Sequence, residues 1–259
     1  MILSVQKAMH LLSILSDFGG APVSLLEISE LCHYPKPTVA HLLATLSHDG
    51  YVTHDPEAHR YALGPRTYYL GRHGRYSEEL VSICRPIMRW MEKKSHGTVV
   101  LSVIHSRQKY IIDYEDREQQ IFSEHANMRI GDIYRTATGR ILLSHMEPDA
   151  IREIYEEYGA PHRGHWSEVT SFESLVAELE KIRKKKIVIT EPIAEQEHTN
   201  AWGFASPVMK NGKCIGAIGI AYRVTECEGV LDEKTKKELI CIVQRGTGEI
   251  ERRLSYEGE

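Results

Sequence analysis

Long hydrophobic runs are missing from this sequence of 259 residues. No stretch approaches the roughly 20 apolar residues that a bilayer-spanning helix needs, and no signal-peptide pattern follows Met1. The five cysteines are scattered and form no CxxC pair, which argues against a disulfide framework or a cysteine metal site. We therefore expect a cytoplasmic protein with reduced thiols, no metal site and no membrane partner.

An excess of positive charge is also missing. Lys and Arg number 32 against 36 Asp and Glu, so the formal net charge of −4 does not by itself indicate a nucleic-acid partner. The first 75 residues differ slightly from the rest, because they contain equal numbers of basic and acidic residues and seven of the 14 histidines. With 42% hydrophobic and 26% charged residues, the composition is that of a globular protein long enough for two domains.

The familiar motifs of catalysis and cofactor binding are missing as well. The sequence contains no GxSxG, no P-loop, no HExxH and no GxGxxG after a strand, so it predicts neither an enzyme nor a cofactor. His162 and His165 are candidate metal ligands, but no matching Cys or Asp set accompanies them. A metal site is therefore not predicted there.

The first 50 residues do carry a clear pattern, that of three helices. Ser24 and Glu27 form a capping box that starts the second helix, whose buried face we expect to include Ile28 and Leu31. The first helix covers residues 4–17. Its apolar residues recur at helical spacing and are Val5, Ala8, Leu12 and Leu15.

The third helix has an unusual start, in which Pro35 and Pro37 flank Lys36. Because it precedes a proline, Lys36 is expected outside the helix, whereas Pro37 suits the first helical turn. Gly50 provides a left-handed stop at the other end. Along the helix, an apolar stripe of Val39, Leu42, Leu43 and Leu46 lies opposite a polar stripe of Thr38, His41, Thr45 and His48.

Two short strands follow the third helix, at 51–54 and 60–63, with a polar turn between them. This order is typical of a winged helix-turn-helix domain, whose third helix enters the major groove of DNA. Short polar side chains let that helix approach the bases, while its N-terminus and the wing contact phosphate. A solvated face used for protein contacts is the alternative. The expected DNA-binding residues are Ser24, Lys36, Pro37, Thr38, His41, Thr45, His59 and Arg60.

The rest of the chain alternates strands and helices. We place the winged-helix domain at 1–70, a linker helix region at 71–96 and a second domain at 97–259. The linker region carries an apolar stripe, and we expect Pro86 to interrupt its helix. An ordinary core helix of the second domain is the alternative for this segment.

Two local signals position elements of the second domain. Thr170 and Glu173 form a capping box for a helix that reaches Lys185, and Asn211–Gly212 predicts a β-hairpin. The expected result is an antiparallel sheet with flanking helices, so the predicted fold class is α+β.

Several segments resemble the IclR (isocitrate lyase regulator) family of bacterial transcription factors. In the first domain these are SVQKAMHLLSIL, SLLEISELCHYPKPTVAHLLATLSHDGYV and RYALG, and in the second they are IYRTATGRILLS and GFASPVMKNGKCIGAIGIA. Their order and spacing extend the resemblance over nearly the whole chain. It implies a winged helix-turn-helix domain and a GAF-like α/β effector-binding domain, joined by a linker helix that supports dimerisation.

The third helix departs from the family pattern. Family members usually have Ser or Thr at position 37 and Arg at position 41, where this chain has Pro37 and His41. Without the Arg, a bidentate contact to a base or phosphate is lost, and His41 donates one hydrogen bond when neutral or carries charge at lower pH. We expect DNA binding with a changed base preference.

The resemblance also implies an effector pocket against the sheet of the second domain. Members that bind small carboxylates often have Ser where this chain has Gly219 and Ala221, so those hydroxyls are missing here. Arg135 replaces a small residue at the start of a helix, where a guanidinium would clamp a carboxylate. The residues that the resemblance assigns to effector binding are Ile133, Tyr134, Arg135, Thr136, Ala137, Gly139, Asn200, Ala201, Trp202, Gly203, Gly219 and Ala221.

Two aromatic residues of that set suggest the kind of effector. If Tyr134 and Trp202 are walls of the pocket, the effector is an organic acid with a substantial apolar or ring portion. Each residue also has a structural alternative: Arg135 in a surface ion pair, Tyr134 in the core and Trp202 at a rim.

The sequence thus predicts a transcriptional regulator without enzymatic activity. A homodimer, or a dimer of dimers, binds a roughly palindromic double-stranded DNA operator, and a small organic acid in the second domain changes its DNA affinity. Two alternatives stay open for the second domain, an enzyme and a ligand-free protein-interaction module. Activation and repression are not distinguished.

Overall fold

The chain folds into two compact units, Met1–Glu78 and Glu79–Glu259, in the computed structural model. The structure describes residues 2–72, 80–116, 133–162, 164–192, 201–224 and 230–256. Among these residues, no helix has both the length and the apolar character that a bilayer crossing requires.

The first unit combines helices with a small antiparallel sheet. Its helices are α1 (Leu3–Asp17), α2 (Leu25–Cys32), α3 (Lys36–His48) and α4 (Pro65–Arg72). Its strands are β1 (Val23–Ser24), β2 (Val52–Asp55) and β3 (Arg60–Leu63), in the order β1-β3-β2. The strands β2 and β3 form the predicted wing, and β1 adds a two-residue strand that the sequence pattern did not indicate.

Local signals fix both ends of the helix-turn-helix. The capping box is present, because the Ser24 hydroxyl accepts from the Glu27 N–H at 3.2 Å and the Glu27 carboxylate accepts from the Ser24 N–H at 2.9 Å. Gly50 adopts a φ of 76° after α3. The N–H groups of Gly50 and Tyr51 donate to the carbonyl groups of Ser47 and Leu46, which is a Schellman ending.

The core of the first unit lies between α1, α2 and α3, with Leu11, Leu15, Ile28, Val39 and Leu43 almost completely buried. The expected face of α1 was wrong in its first turn, and so was one residue of α2. Val5 and Leu31 are each 50% exposed. Both helices are apolar on more than one side, and packing against neighbouring helices selects Ile14 in α1 and Cys32 in α2 instead.

The position of Lys36 also differs from the prediction, since it is the first residue of α3. The carbonyl of Pro35 accepts hydrogen bonds from the N–H groups of Thr38 and Val39, at 2.9 and 3.1 Å, which closes the first turn. The restriction on a residue before proline is a bias, and here this closed turn outweighs it.

The second unit is built on a five-stranded antiparallel sheet in the order β5-β4-β8-β7-β6. Its strands are β4 (Thr98–His105), β5 (Gln108–Glu115), β6 (Val188–Thr190), β7 (Ala201–Lys210) and β8 (Lys213–Arg223). Its helices are α5 (Leu80–Ser95), α6 (Ala137–Ser144), α7 (Pro148–Tyr158), α8 (Phe172–Lys185) and α9 (Glu233–Tyr256). The predicted α+β class and antiparallel sheet are confirmed.

The β7–β8 hairpin turns at Asn211–Gly212, as the sequence indicated. Both residues have positive φ, at 50° and 75°, which is the backbone that a two-residue hairpin turn of type I′ requires. Strands β4, β7 and β8 form the centre of the sheet.

Helices cover both faces of this sheet. On one face α5 packs with α9, and two ion pairs join α5 to β5, Arg85 to Asp113 at 3.0 Å and Arg89 to Glu115 at 2.9 Å. On the other face α6 lies across β7, β8 and β4, with α8 behind it. We call this second surface of the sheet the α6 face.

Two further expectations for the second unit were wrong in detail. Pro86 does not interrupt α5, because the buried residues Ile83 and Ile87 hold the turns on either side of it against the rest of the unit. The capping box of α8 uses Ser171 and Ser174, one residue later than predicted. The Ser171 side chain accepts from the Ser174 N–H, and the Ser174 side chain accepts from the Ser171 N–H.

Candidate nucleic-acid interface and effector pocket

The outer face of α3 is polar and open to solvent. Lys36, Pro37, His41 and Thr45 are exposed, and Thr38 is half-buried. The Thr45 hydroxyl donates to the His41 carbonyl at 3.1 Å, so it can offer a ligand only its acceptor lone pairs while that bond lasts. The face is therefore one of short side chains and an imidazole, with a single lysine at its start.

The N-terminus of α3 offers few backbone donors. Pro37 has no N–H, and those of Thr38 and Val39 already donate to Pro35. The Lys36 N–H is the first-turn donor that remains for an anion, and it stands next to the Lys36 ammonium group on the same residue. Any phosphate contact at this end of the helix consequently depends on Lys36.

Two of the expected DNA-binding residues also have structural partners at the start of α2. The Ser24 hydroxyl is the N-cap of that helix. The Arg60 guanidinium donates to the Pro22 carbonyl at 2.9 Å and lies 3.8 Å from the Glu27 carboxylate. The bonds from Ser24, and to a smaller degree the charge of Arg60, lower the pKa of Glu27.

The tip of the wing is exposed throughout and is held by Asp55. Its carboxylate accepts from the N–H groups of Glu57 and Ala58, at 2.9 and 3.0 Å, and these two bonds lower the pKa of Asp55. His59 follows with a φ of 51°. His54, on the neighbouring strand, stacks on Tyr61 with ring centroids 4.5 Å apart.

The predicted effector loop begins where α6 begins. Thr136 is the N-cap of α6, and its hydroxyl oxygen accepts from the Gly139 N–H at 3.1 Å. The buried Lys109 of β5 donates to the same oxygen at 3.0 Å. Sequence reasoning missed Lys109, because a lysine 27 residues from its partner in an ordinary strand pattern carries no local signal.

Three glycines of the predicted pocket are explained by the close approach of α6 to the sheet. A Cβ at Gly219 would lie 2.8 Å from the Thr138 methyl and 2.9 Å from the Phe204 carbonyl oxygen. A Cβ at Gly203 would collide with the Thr190 hydroxyl, and one at Gly139 with the Ile133 carbonyl. A serine at position 219 would therefore have no space, and the hydroxyl groups of Ser102 and Thr138, 3.4 Å apart, lie buried nearby instead.

A row of small residues leads from α6 across the sheet. Ala137 lies over Gly203, Gly203 pairs with Ala221, and Ala221 pairs with Thr98. In the next row Ala201 pairs with Arg223. Because alternate residues share a face, Ala221, Arg223 and Thr98 lie on the α6 face with Gly219. The Thr98 hydroxyl and the Arg223 Nε are buried without a hydrogen-bond partner in the described structure.

The two aromatic residues do not wall this region. Trp202 points to the opposite face of the sheet from Gly203, and the Lys236 ammonium of α9 lies 4.6 Å from the centre of its indole ring. Tyr134 is buried in the core formed with α7 and α8, and that burial raises its pKa to about 12. Neither side chain therefore supports a ring-bearing effector.

Other predicted effector residues lie in or near the turn before α6 or outside the described residues. Ile133 is buried, and Arg135 is half-buried and has interactions of its own. Asn200 lies outside the described residues. The neighbouring Arg140 donates through Nε to the Tyr134 carbonyl at 2.7 Å, donates to the His165 carbonyl and stacks on Trp166. Arg140 therefore holds the turn before α6.

No metal centre is assembled in the part of the chain that the structure describes. His162 and His165 have ring centroids 5.3 Å apart, but the His162 Nδ1 accepts from the Gly164 N–H at 3.3 Å. That bond gives the ring nitrogen a partner within its own loop.

Two family models match the chain. The model described as "IclR helix-turn-helix domain" matches residues 4–56, and "Bacterial transcriptional regulator IclR C-terminal" matches residues 76–248. The regulator KdgR of Escherichia coli is 26% identical over 70% of this chain and 69% of its own. The acetate operon repressor of Salmonella typhimurium is 25% identical over 60% of this chain and 57% of its own.

Solved structures of the same fold cover nearly the whole chain. An IclR homologue from Microbacterium hydrocarbonoxydans, complexed with 4-hydroxybenzoate, superposes with a TM-score of 0.70 at 17% identity and covers 98% of this chain and 99% of its own. An IclR regulator from Alicyclobacillus acidocaldarius gives a TM-score of 0.69 at 18% identity and covers 97% of this chain and 98% of its own.

Proposed function

The chain belongs to the IclR family of bacterial transcriptional regulators, and from this premise we propose how its own residues bind DNA and an effector. The first unit binds duplex DNA through α3 and the wing. The observation that carries this proposal is the polar face of α3. This face begins at Lys36 and is open to solvent in the described part of the first unit. A recognition helix needs such a face to lie in a major groove.

The residues of that face have three kinds of role. Lys36 contacts phosphate through its N–H and its ammonium group at the N-terminus of α3. His41 and Thr45, one turn apart, face the base edges, and Thr38 and Pro37 set the approach of the first turn. Ser24 and Arg60 support the surface by holding the start of α2 and the wing together.

The DNA-binding form is a homodimer or a dimer of dimers on a roughly palindromic operator. One α3 with one lysine on its exposed face would hold DNA weakly, and two linked half-sites raise the affinity without new contacts. A protein that binds bacterial DNA acts in the cytoplasm. Regulation by binding requires no enzymatic step.

The second unit binds an organic anion on the α6 face. Lys109 and Thr136 provide a charged and a polar group where α6 begins, and the dipole of α6 adds positive potential there. Thr98 and Arg223 provide buried polar atoms at the sheet. With Arg135 beside Thr136, the donor set fits a carboxylate. The 4-hydroxybenzoate held by the Microbacterium homologue is an aromatic carboxylate and makes a first probe.

Selection of DNA from a randomised duplex pool by the full chain tests the first part. Enrichment of a motif with two-fold symmetry is expected, and failure to enrich any sequence at low salt would refute DNA recognition. Titration with 4-hydroxybenzoate and with two- to six-carbon carboxylic acids tests the second part. We expect the bound acid to change the affinity for the selected duplex. An acid that binds and leaves this affinity unchanged would show that the pocket does not regulate DNA binding.

A further inference from the structure

The proposed DNA-binding surface is poor in permanent positive charge. In residues 2–72 there are five Lys and Arg against six Asp and Glu. Of the five, only Lys36 lies on α3, and Arg60 is engaged with Pro22 and Glu27. Binding to DNA is driven by neutralising phosphates, so a surface with this balance needs another source of positive charge.

Histidines occupy the positions where that charge is needed. His41 and His48 are exposed on α3, and His54 and His59 are exposed on the wing. An imidazole changes charge between about pH 5 and 8, and a neighbouring phosphate favours its charged form. Phosphate groups of bound DNA beside these four positions would therefore favour imidazolium ions there.

Carboxylates lie close to three of these histidines. His48 Nδ1 lies 3.0 Å from the Asp49 carboxylate, and the ring is 86% exposed. The Asp55 carboxylate interacts with both His54 and His59. No ion pair involves His41 in the described part of the first unit.

The other charged groups of the surface are few. Lys36 stands at the far end of α3 from His48, and Arg66 of α4 packs beside Gly50 and Tyr51. Glu57 is in the wing turn, and Arg60 with Glu27 forms the pair at the start of α2. The Tyr61 ring stacks on His54. Asp49 and Asp55 are the carboxylates that interact with His48, His54 and His59, and an approaching phosphate would add negative charge beside these histidines.

We propose that His48 and His54 join His41 and His59 as DNA contacts, and that His48, His54 and His59 bind phosphate as imidazolium ions, so that operator binding takes up protons. This inference rests on the DNA-binding role proposed above. The bound state holds more protons than the free state, so affinity is highest at low pH and is lost as pH rises through the range in which the bound histidines deprotonate.

The test measures the dissociation constant of the full chain for the selected duplex at pH 6.0 and 8.0, at constant ionic strength, by fluorescence anisotropy. We expect binding at least about tenfold tighter at pH 6.0, since each linked proton changes affinity by up to about tenfold per pH unit. Calorimetry at pH 7.0 in two buffers of different ionisation enthalpy should show proton uptake by the protein–DNA complex.

A triple variant assigns the effect to these residues. His48→Gln and His54→Gln keep a polar side chain without the charge, and His59→Asn suits the left-handed backbone at that position. We expect the ratio of the two dissociation constants to fall to about threefold or less. His105→Gln, which removes an exposed histidine from the second unit, is the control and should leave the ratio unchanged.

The outcomes separate this inference from the DNA-binding proposal. Binding at both pH values with equal affinity overturns the inference and leaves DNA binding intact. An undiminished ratio in the triple variant overturns the assignment to these histidines. No binding at either pH value overturns both.

Discussion

The ammonium group of Lys109 donates a hydrogen bond to the hydroxyl oxygen of Thr136 at 3.0 Å, and Thr136 is the N-cap of α6. A buried ammonium close to the positive end of a helix is unfavourable unless oxygen atoms surround it. This arrangement brings a fixed positive charge to the place where the proposed organic anion binds.

Lys109→Met should weaken binding of an organic acid by about tenfold or more, because a charge-assisted hydrogen bond contributes about 1.5–3 kcal/mol. Methionine keeps most of the buried hydrocarbon volume, so the fold is expected to survive. Isothermal titration with an acid that wild type binds measures the change. Lys213→Met, which removes an exposed lysine at the β7–β8 turn, is the matched control. Equal losses in the two variants would mean that Lys109 acts only through overall charge.

Lys36→Ala should weaken DNA binding and flatten its dependence on salt. One fewer phosphate contact reduces the slope of log affinity against log salt concentration by about 1. Thr38→Ala should weaken binding with the salt slope unchanged, because no charge is removed. Titrations of the selected duplex at several salt concentrations measure both effects. If both variants bind like wild type, α3 is not the recognition helix.

The parts of the first unit that sequence reasoning predicted are those with local causes. The Ser24–Glu27 capping box and the Gly50 stop depend on residues at most five apart, so they can be read from the chain itself. The buried face of α1 could not be predicted in this way, because Val5 and Leu11 are both apolar residues at helical spacings. Only the arrangement of α2 and α3 around α1 decides between them.

In the effector region the sequence pattern was less informative, because contacts between elements distant in the sequence decide which side chains face each other. Whether Trp202 or Gly203 faces α6 depends on the register and pleat of β7, and a shift of one residue reverses every side chain. The contact of Lys109 with Thr136 arises from the packing of α6 on the sheet, and the neighbouring positions of Thr98 and Ala221 arise from strand pairing. Such pairs have no signal in a single sequence.

Ser24→Ala should lower the free energy of unfolding of the first unit by about 1 kcal/mol, the usual contribution of an N-cap. Its DNA affinity under conditions where the unit is folded should stay close to that of wild type, since the hydroxyl is used by Glu27. Ser13→Ala within α1 is the control and should be neutral or stabilising, because alanine favours helix interiors. Loss of DNA affinity in a fully folded Ser24→Ala variant would show a direct contact.

His41→Arg should strengthen DNA binding and move the preferred base towards guanine. The guanidinium can donate two hydrogen bonds to the O6 and N7 atoms of guanine, whereas an imidazole donates one. Selection from the same randomised pool with wild type and variant compares their motifs directly. His33→Arg, at the C-cap of α2, adds the same charge outside the exposed face of α3 and serves as control. An unchanged motif and affinity would mean that His41 does not face the bases.

Arg135→Ala should weaken binding of an organic acid but leave binding of the corresponding amide unchanged. Arg135 precedes the N-cap of α6, and a guanidinium there can hold both oxygens of a carboxylate, whereas an uncharged amide gives it no such partner. Calorimetric titration of wild type and variant with 4-hydroxybenzoate and 4-hydroxybenzamide measures the difference. Lys184→Ala removes an exposed positive charge from α8 and controls for the general field of the unit. Equal affinity of wild type for acid and amide, or an unchanged affinity for the acid in the variant, would exclude the clamp and leave Arg135 to the structural interactions in which it already takes part.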